Sequence, residues 1–191
     1  DFYNLMVDKK FMPNTPAIAN AGNSLGMLSA CFVLGVDDSM ESIMDTLKHT
    51  AIIHKSGGGT GFNFSNIRPE GDYVSSTSGV ASGPLSFMKM FDTMTEVVKQ
   101  GGIRRGANMG IMNSNHPDIE KFITAKEGNK ALRNFNISVL IMADFWDYYN
   151  KNEPYPLVNP RNGEVVKTVN PRMLFDKIVY QAWESADAGV I

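Results

Sequence analysis

Short apolar runs alternate with segments of helical periodicity along nearly the whole chain, and this alternation leaves few folds open. Residues 27–36 (MLSACFVLGV) read as a buried strand. Asp38, with Glu41 three residues later, makes a capping box that opens a helix. Met40, Ile43, Met44, Leu47 and Ala51 then recur at helical spacing and mark its buried face. Glycines from Gly57 end that helix, and residues 61–67 (GFNFSNI) look like a second strand. Residues 69–83, rich in Ser and Gly, read as a loop. Pro84 stands where a first-turn proline belongs, and Phe87, Phe91, Met94 and Val98 follow on one face. Gly101 and Gly102 stop that helix.

A strand over 107–112, a short helix over 117–125, a polar loop over 126–134 and an alternating strand from Phe135 to Ile141 follow. The remainder predicts a short aromatic helix over 143–150, a hairpin over 154–170 turning at Asn162-Gly163, and a last helix marked by Phe175, Ile178, Val179 and Ala182. The final residues look like the entry to a strand. Repeated strand–helix–strand units imply an α/β fold of parallel strands with helical crossovers.

The 191 residues suffice for one domain with a real core, and no boundary divides residues 1–191. A net charge of -2 gives no global reason to expect a nucleic acid or a membrane surface as partner. No apolar run approaches the roughly 20 residues that span a bilayer. The single cysteine, Cys31, excludes a disulfide framework within the chain and suits a reducing cytoplasm. The histidines, His49, His54 and His116, form no spaced metal cluster, so no metal site is expected. The chain starts without Met and stops where a strand would begin, so it reads as a fragment.

Several residues have both a chemical and a plain reading. Ser56-Gly57-Gly58-Gly59-Thr60-Gly61 lets backbone approach a ligand closely, yet it lacks the Gly-Lys-Ser/Thr of a P-loop and misses the dinucleotide fingerprint. A helix cap and tight turn would need fewer glycines. Arg104 and Arg105, between glycines, fit a phosphate or complement a helix C-terminus. Cys31 is a small strand hydrophobe or a redox thiol. Asp38 is accounted for as an N-cap, and Thr15, in Asn14-Thr15-Pro16, as a turn hydroxyl. His54, His116, Trp146 and Trp183 read as structural, and the 12 methionines as core filler.

Six segments in order, FMPNTPAIANAG, LSACFVLGVDDSMESI, HKSGGGTGFNFSNIRPEGD, GVASGPLSFM, VVKQGGIRRGANMGI and NHPDIEKFI, resemble the large catalytic subunit of ribonucleotide reductases. HKSGGGTGF and QGGIRRGANMG most resemble the adenosylcobalamin-dependent class. The resemblance covers about residues 10–142, with a fainter match beyond.

It implies a ten-stranded α/β barrel of two five-stranded halves, of which this chain supplies the front part. It implies thiyl-radical reduction of ribonucleotides to deoxyribonucleotides. A radical on a finger-loop cysteine takes the 3′ hydrogen, the 2′ hydroxyl leaves as water, and two thiols supply the electrons. Cys31 matches one of those thiols. Thr15 and Ser29 match positions near the substrate phosphates, and Gly58 and Gly59 the loop beside the nucleoside. Asp38 matches the aspartate that holds the ribose of a dNTP effector, with Ser39, Arg68 and Asp72 beside it. The stretch 70–80 matches a first specificity loop and 126–135 a second, in which Arg133 is a candidate substrate contact.

The implied partners are a ribonucleotide, a dNTP effector, a thioredoxin- or glutaredoxin-type reductant and a second copy, joined through helices such as 39–55 and 84–100. Adenosylcobalamin is implied as cofactor, bound mainly by parts outside or bordering this chain. The radical cysteine, the partner of Cys31, the C-terminal cysteine pair and an N-terminal regulatory cone are not in the sequence. The chain alone is therefore expected not to turn over. The alternative reading is a non-catalytic dNTP-binding and dimerisation module, and a third is an unrelated phosphate-binding barrel.

Overall fold

The structure is a computed structural model that describes residues 1–24, 26–74, 78–98, 106–129 and 131–191. After two short helices, α1 (Phe2–Val7) and α2 (Thr15–Asn20), come β1 (Cys31–Leu34), α3 (Met40–Lys55) and β2 (Gly59–Asn63). The hairpin β3 (Tyr73–Val74) and β4 (Gly79–Val80) precedes α4 (Pro84–Val97), β5 (Asn108–Asn113), α5 (Ile119–Ile123) and β6 (Phe135–Leu140). The chain continues through α6 (Phe145–Lys151), a second hairpin of β7 (Tyr155–Val158) and β8 (Val165–Val169), α7 (Pro171–Ser185) and β9 (Gly189–Val190).

The five long-range strands form one parallel sheet in the order β1-β2-β5-β6-β9. Strict chain order with helical crossovers is the pattern of a curling, barrel-type sheet. Side chains alternate between its faces. On one face Phe62, Met112, Phe135, Ile137 and Val139 are buried. Phe91 of α4 packs edge-on against Phe62, their centroids 4.9 Å apart, and Phe64 and Phe135 join the cluster. Leu174 and Ile178 of α7 and Phe122 of α5 extend this core. The opposite face carries Cys31, Val33, Gly59, Gly61, Asn63 and Asn136, and it is open: Val33 is 91% exposed.

Several sequence expectations shift. The buried strand over 27–36 is β1 alone, half exposed, because among the described residues only β2 lies beside it and one face is open. Ser39, not Asp38, caps α3, accepting from the Ser42 N–H at 3.1 Å, because the Asp38 carboxylate is turned to Arg68. The buried face of α3 is Ile43, Thr46, Thr50 and His54, while Met40 and Met44 are exposed. Its threonine hydroxyls donate to backbone carbonyls (Thr46 to Gly35, Thr50 to Thr46, both 2.7 Å), which removes the penalty for burying them. The loop over 69–83 contains the β3–β4 hairpin. Met88 and Met112 fill the core as expected, but Met12 and Met173 are exposed. The stop at Gly101-Gly102 and the Arg104-Arg105 pair lie outside the described residues. The Asn162-Gly163 turn joins β7 to β8, with Gly163 at φ 76.

Candidate functional site

Cys31 begins β1 on the open face of the sheet, and its thiol is free and exposed. Its register partner on β2 is Gly59. A Cβ on Gly59 would stand 3.9 Å from the Cys31 sulfur and 3.3 Å from the Ala107 carbonyl oxygen, so the glycine keeps that flank of the thiol clear. Gly58 faces the other way. A Cβ there would meet Ile53 Cγ2 at 2.8 Å and Phe32 Cε2 at 2.9 Å, so the turn lies directly on the helix layer. The glycines of this loop thus serve two sides: Gly58 closes the packing and Gly59 opens the surface. Ser29, two residues before Cys31, is exposed, as is Thr15 at the start of α2. The only side-chain cap of α2 is Asn14, which accepts from the Ala17 N–H.

Beneath the glycine turn lies a polar chain that the sequence reading missed. His54 Nε2 donates to Thr60 Oγ1 at 3.0 Å, Thr60 donates to Asn108 Oδ1 at 2.8 Å, and Asn108 Nδ2 donates to Thr95 Oγ1 at 2.8 Å. All four residues are buried. The chain fastens α3, β2, β5 and α4 to one another just behind Gly59. Burial holds the His54 pKa below its ordinary value, so the ring is neutral, and its Nδ1 has no hydrogen-bond partner among the described residues. A Cβ on Gly106 would lie 3.0 Å from that nitrogen.

A second site lies past the other end of β1. An open cleft of about 670 Å³ is lined by Asp38, Ser39, Ile43 and Arg68 and by Val80, Ala81 and Ser82 of the β3–β4 hairpin. Asp38 accepts from the Arg68 backbone N–H at 3.1 Å and from its Nε at 2.7 Å. Arg68 Nη1 also donates to the Tyr73 carbonyl at 3.2 Å. Asp72 does not line the cleft. Both its oxygens take the fork of Arg161, at 2.8 and 3.0 Å, with Asn159 Nδ2 at 3.0 Å and the Tyr73 N–H at 2.9 Å. The Arg161 hydrogen bond, chiefly, holds the Asp72 carboxyl well below the usual carboxylate range.

The foot of the hairpin is fixed separately. His116 Nε2 donates to the Ile67 carbonyl at 2.9 Å, and its Nδ1 accepts from the Asp118 N–H at 3.0 Å. Asp118 in turn accepts from the Glu70 N–H at 2.8 Å. Desolvation outweighs these contacts and lowers the His116 pKa. The structure therefore brings Cys31 together with Gly59, and Asp38 together with Ser39 and Arg68. Thr15 and Ser29 are exposed, and no feature among the described residues ties either side chain to the flank of Cys31 at Gly59, so their part in the site stays a sequence expectation. Arg133 is exposed between Leu132 and β6. Among the described residues, no group of His, Cys, Asp and Glu could hold a metal ion, and no helix is long and apolar enough to cross a membrane.

The family model described as ribonucleotide reductase, barrel domain, matches residues 29–191. A vitamin B12-dependent ribonucleoside-diphosphate reductase of Thermoplasma acidophilum is 57% identical over 191 residues, covering 100% of this chain and 25% of that relative. A protein of the same description from Mycobacterium tuberculosis is 44% identical over 191 residues, covering 100% of this chain and 27% of its own length. A ribonucleoside-diphosphate reductase large subunit of vaccinia virus is 37% identical over 143 residues, covering 73% of this chain and 18% of its own. The chain spans about a quarter of the length of the B12-dependent relatives it matches.

Proposed function

The chain belongs to the ribonucleotide reductase family, as part of its barrel domain, and from that premise we infer that the face at Cys31 receives a ribonucleotide while the cleft at Asp38 binds a dNTP effector. The observation that carries this reading is the placement of the two sites. The free thiol begins β1, and the cleft aspartate follows its far end. One strand thus links a chemical site to a regulatory one, as reciprocal coupling between two ligands requires.

At the substrate face, Cys31 supplies one of two thiols that deliver two electrons to the ribose as the 2′ hydroxyl leaves as water. The Gly58-Gly59 turn seats the nucleoside, Gly59 on the open face and Gly58 holding the turn against the helix layer behind it, Thr15 and Ser29 meet its phosphates, and Arg133 is a further substrate contact. At the cleft, Asp38 and Ser39 take the effector ribose and Arg68 its phosphates. The guanidinium that now pairs with Asp38 is also the cation nearest an incoming anion. Asp72 contributes by holding the hairpin that walls the cleft. A two-electron reduction needs a second thiol, and the sequence holds Cys31 alone, so this chain by itself binds nucleotides without turning them over.

Cobalamin does not fit the residues described here. His54 and His116 are buried with ring nitrogens in core hydrogen bonds, and the exposed His49 belongs to no group of metal-ligating side chains among the described residues. The cofactor named for the relatives would be held mainly by segments outside or bordering this chain. A thioredoxin- or glutaredoxin-type protein would re-reduce Cys31 and its partner thiol. The exposed Met40 and Met44 of α3 suit pairing with a second copy, and a cytoplasmic setting suits the free thiol.

The test is a pair of variants in the full-length protein that carries this chain. Cys31→Ser should abolish deoxyribonucleotide formation and keep nucleotide binding. Asp38→Ala should remove the response to dNTPs. Turnover by Cys31→Ser at the unaltered rate would overturn the reading.

A further inference from the structure

We propose that Arg161, on the turn of the β7–β8 hairpin, is a positioning residue for the effector cleft and sets its affinity for deoxynucleoside triphosphates. The inference rests on the reading of the Asp38 cleft given above. Arg161 does not line the cleft. It reaches the cleft through an unbroken series of hydrogen bonds. Its Nε and Nη2 clasp both oxygens of Asp72. Asp72 Oδ1 also accepts from the Tyr73 N–H, the Tyr73 carbonyl accepts from Arg68 Nη1, and Arg68 Nε reaches Asp38 Oδ2.

A second route runs through the backbone. The Asp72 carbonyl accepts from the Ala81 N–H at 2.8 Å, and Ala81 is part of the cleft wall. Both routes leave from Asp72, so one carboxylate fixes the wall and the guanidinium together.

The anchor behind Arg161 is rigid. Asn159 is buried, accepts from the Arg161 N–H at 3.0 Å, and donates to Asp72 Oδ2. Val158 N–H donates to the Asn115 carbonyl at 2.7 Å, and the Tyr155 hydroxyl meets Ser114 Oγ at 3.1 Å. The hairpin therefore stands on the end of β5 and carries that position to the cleft. A planar fork on a carboxylate holds direction as well as distance, which a lysine would not reproduce. A pre-positioned Arg68 and wall spare the effector the ordering that binding would otherwise require.

The experiment measures dNTP binding to the full-length protein that carries this chain by equilibrium dialysis, with circular dichroism and thermal melting as folding controls. The panel is the unaltered protein, Asp38→Ala, Arg161→Ala, Arg161→Lys, Asp72→Ala and the double variant Asp72→Ala/Arg161→Ala. Arg161→Ala should weaken binding about tenfold, the change produced by losing ~1.4 kcal/mol. Arg161→Lys should recover part of that loss. In the Asp72→Ala background the Arg161 substitution should add nothing, because its effect passes through that carboxylate.

Unaltered affinity in Arg161→Ala, with binding lost in Asp38→Ala, would overturn the positioning role and leave the cleft reading intact. Additive losses in the double variant would overturn it as well. Binding that survives Asp38→Ala, or no binding by the unaltered chain, would overturn the cleft reading and this inference with it. If Arg161→Ala melts early, Arg161→Lys carries the comparison: a loss of dNTP affinity in a fully folded Arg161→Lys supports the positioning role, and unaltered affinity overturns it.

Discussion

Cys31 and Gly59 stand abreast on neighbouring parallel strands, and the hydrogen that Gly59 carries in place of a side chain is what leaves the thiol open on that flank.

Adding one methyl group at Gly58 or Gly59 should therefore have opposite signatures. Gly58→Ala drives a Cβ to 2.8 Å from Ile53 Cγ2. It should lower stability by about 1–3 kcal/mol, read from urea unfolding, as overpacked sites do. The alkylation rate of Cys31 should barely change. Gly59→Ala meets looser neighbours, at 3.3 Å and beyond. It should cost less stability and slow the reaction of Cys31 with iodoacetamide. Equal alkylation rates in Gly59→Ala and the unaltered chain would count against the shielding argument.

The Asp38–Arg68 pair predicts an order of destabilisation. Arg68→Ala removes the Nε bond of a pair about a quarter exposed and the exposed Nη1 bond to the Tyr73 carbonyl, and keeps the backbone N–H donor. After screening by solvent, a loss of about 0.5–1 kcal/mol is expected. Asp38→Ala strips the acceptor from two donors of Arg68 at once and should cost more, about 1–3 kcal/mol. Chemical denaturation of both variants checks the order, and a larger loss in Arg68→Ala would contradict the geometry.

Acid should weaken the fold in two stages. His54 and His116 have native pKa values lowered from 6.5 by burial. As the pH falls below that value the unfolded chain takes up protons that the folded chain refuses, so stability declines toward the native pKa values. Asp72, Glu70 and Glu120 are depressed by their cationic partners Arg161, Lys121 and Lys177. Their contribution is complete above the ordinary carboxylate range and is lost as the pH falls from that range down through the lowered native values. Urea midpoints between pH 7.5 and 5 isolate the histidine stage, and His54→Gln should flatten that part of the profile. A midpoint constant over that span would contradict the neutral, buried assignment.

At the other extreme, burial pushes the Tyr155 hydroxyl up to about 12, so stability should also fall as the pH rises past 10.0. Tyr155→Phe, followed by denaturation at pH 9 and 11, should flatten that alkaline decline. An equal decline in the variant would assign it to another group.

Local pattern carried much of the fold. Period-two and period-3.6 spacing marked the sheet strands and the longer helices, because those elements bury one face each and their residues report it. What escaped detection shares a different cause. Thr46, Thr50 and His54 fill the buried face of α3, and hydropathy ranks them below the exposed Met40 and Met44. Only their hydrogen bonds explain the exchange. The capping box at Asp38 offered the right residue types, but a partner thirty positions downstream claimed the carboxylate and left the cap to Ser39. The Arg161–Asp72 clasp joins residues 89 apart, a separation that no local window spans. The thiol, the glycine turn and the cleft aspartate could be named from motif order. How Asp72 is used could not, since it depends on where a distant hairpin comes to rest.

The chain-order sheet also bears on how such a protein is made. Each new strand of this sheet docks beside the sheet strand completed before it, with the two hairpins set aside in small sheets of their own, so no strand of the sheet must wait for a partner still to be made. During synthesis the sheet can grow by accretion from its Cys31 edge, each crossover helix sealing the strand laid down before it.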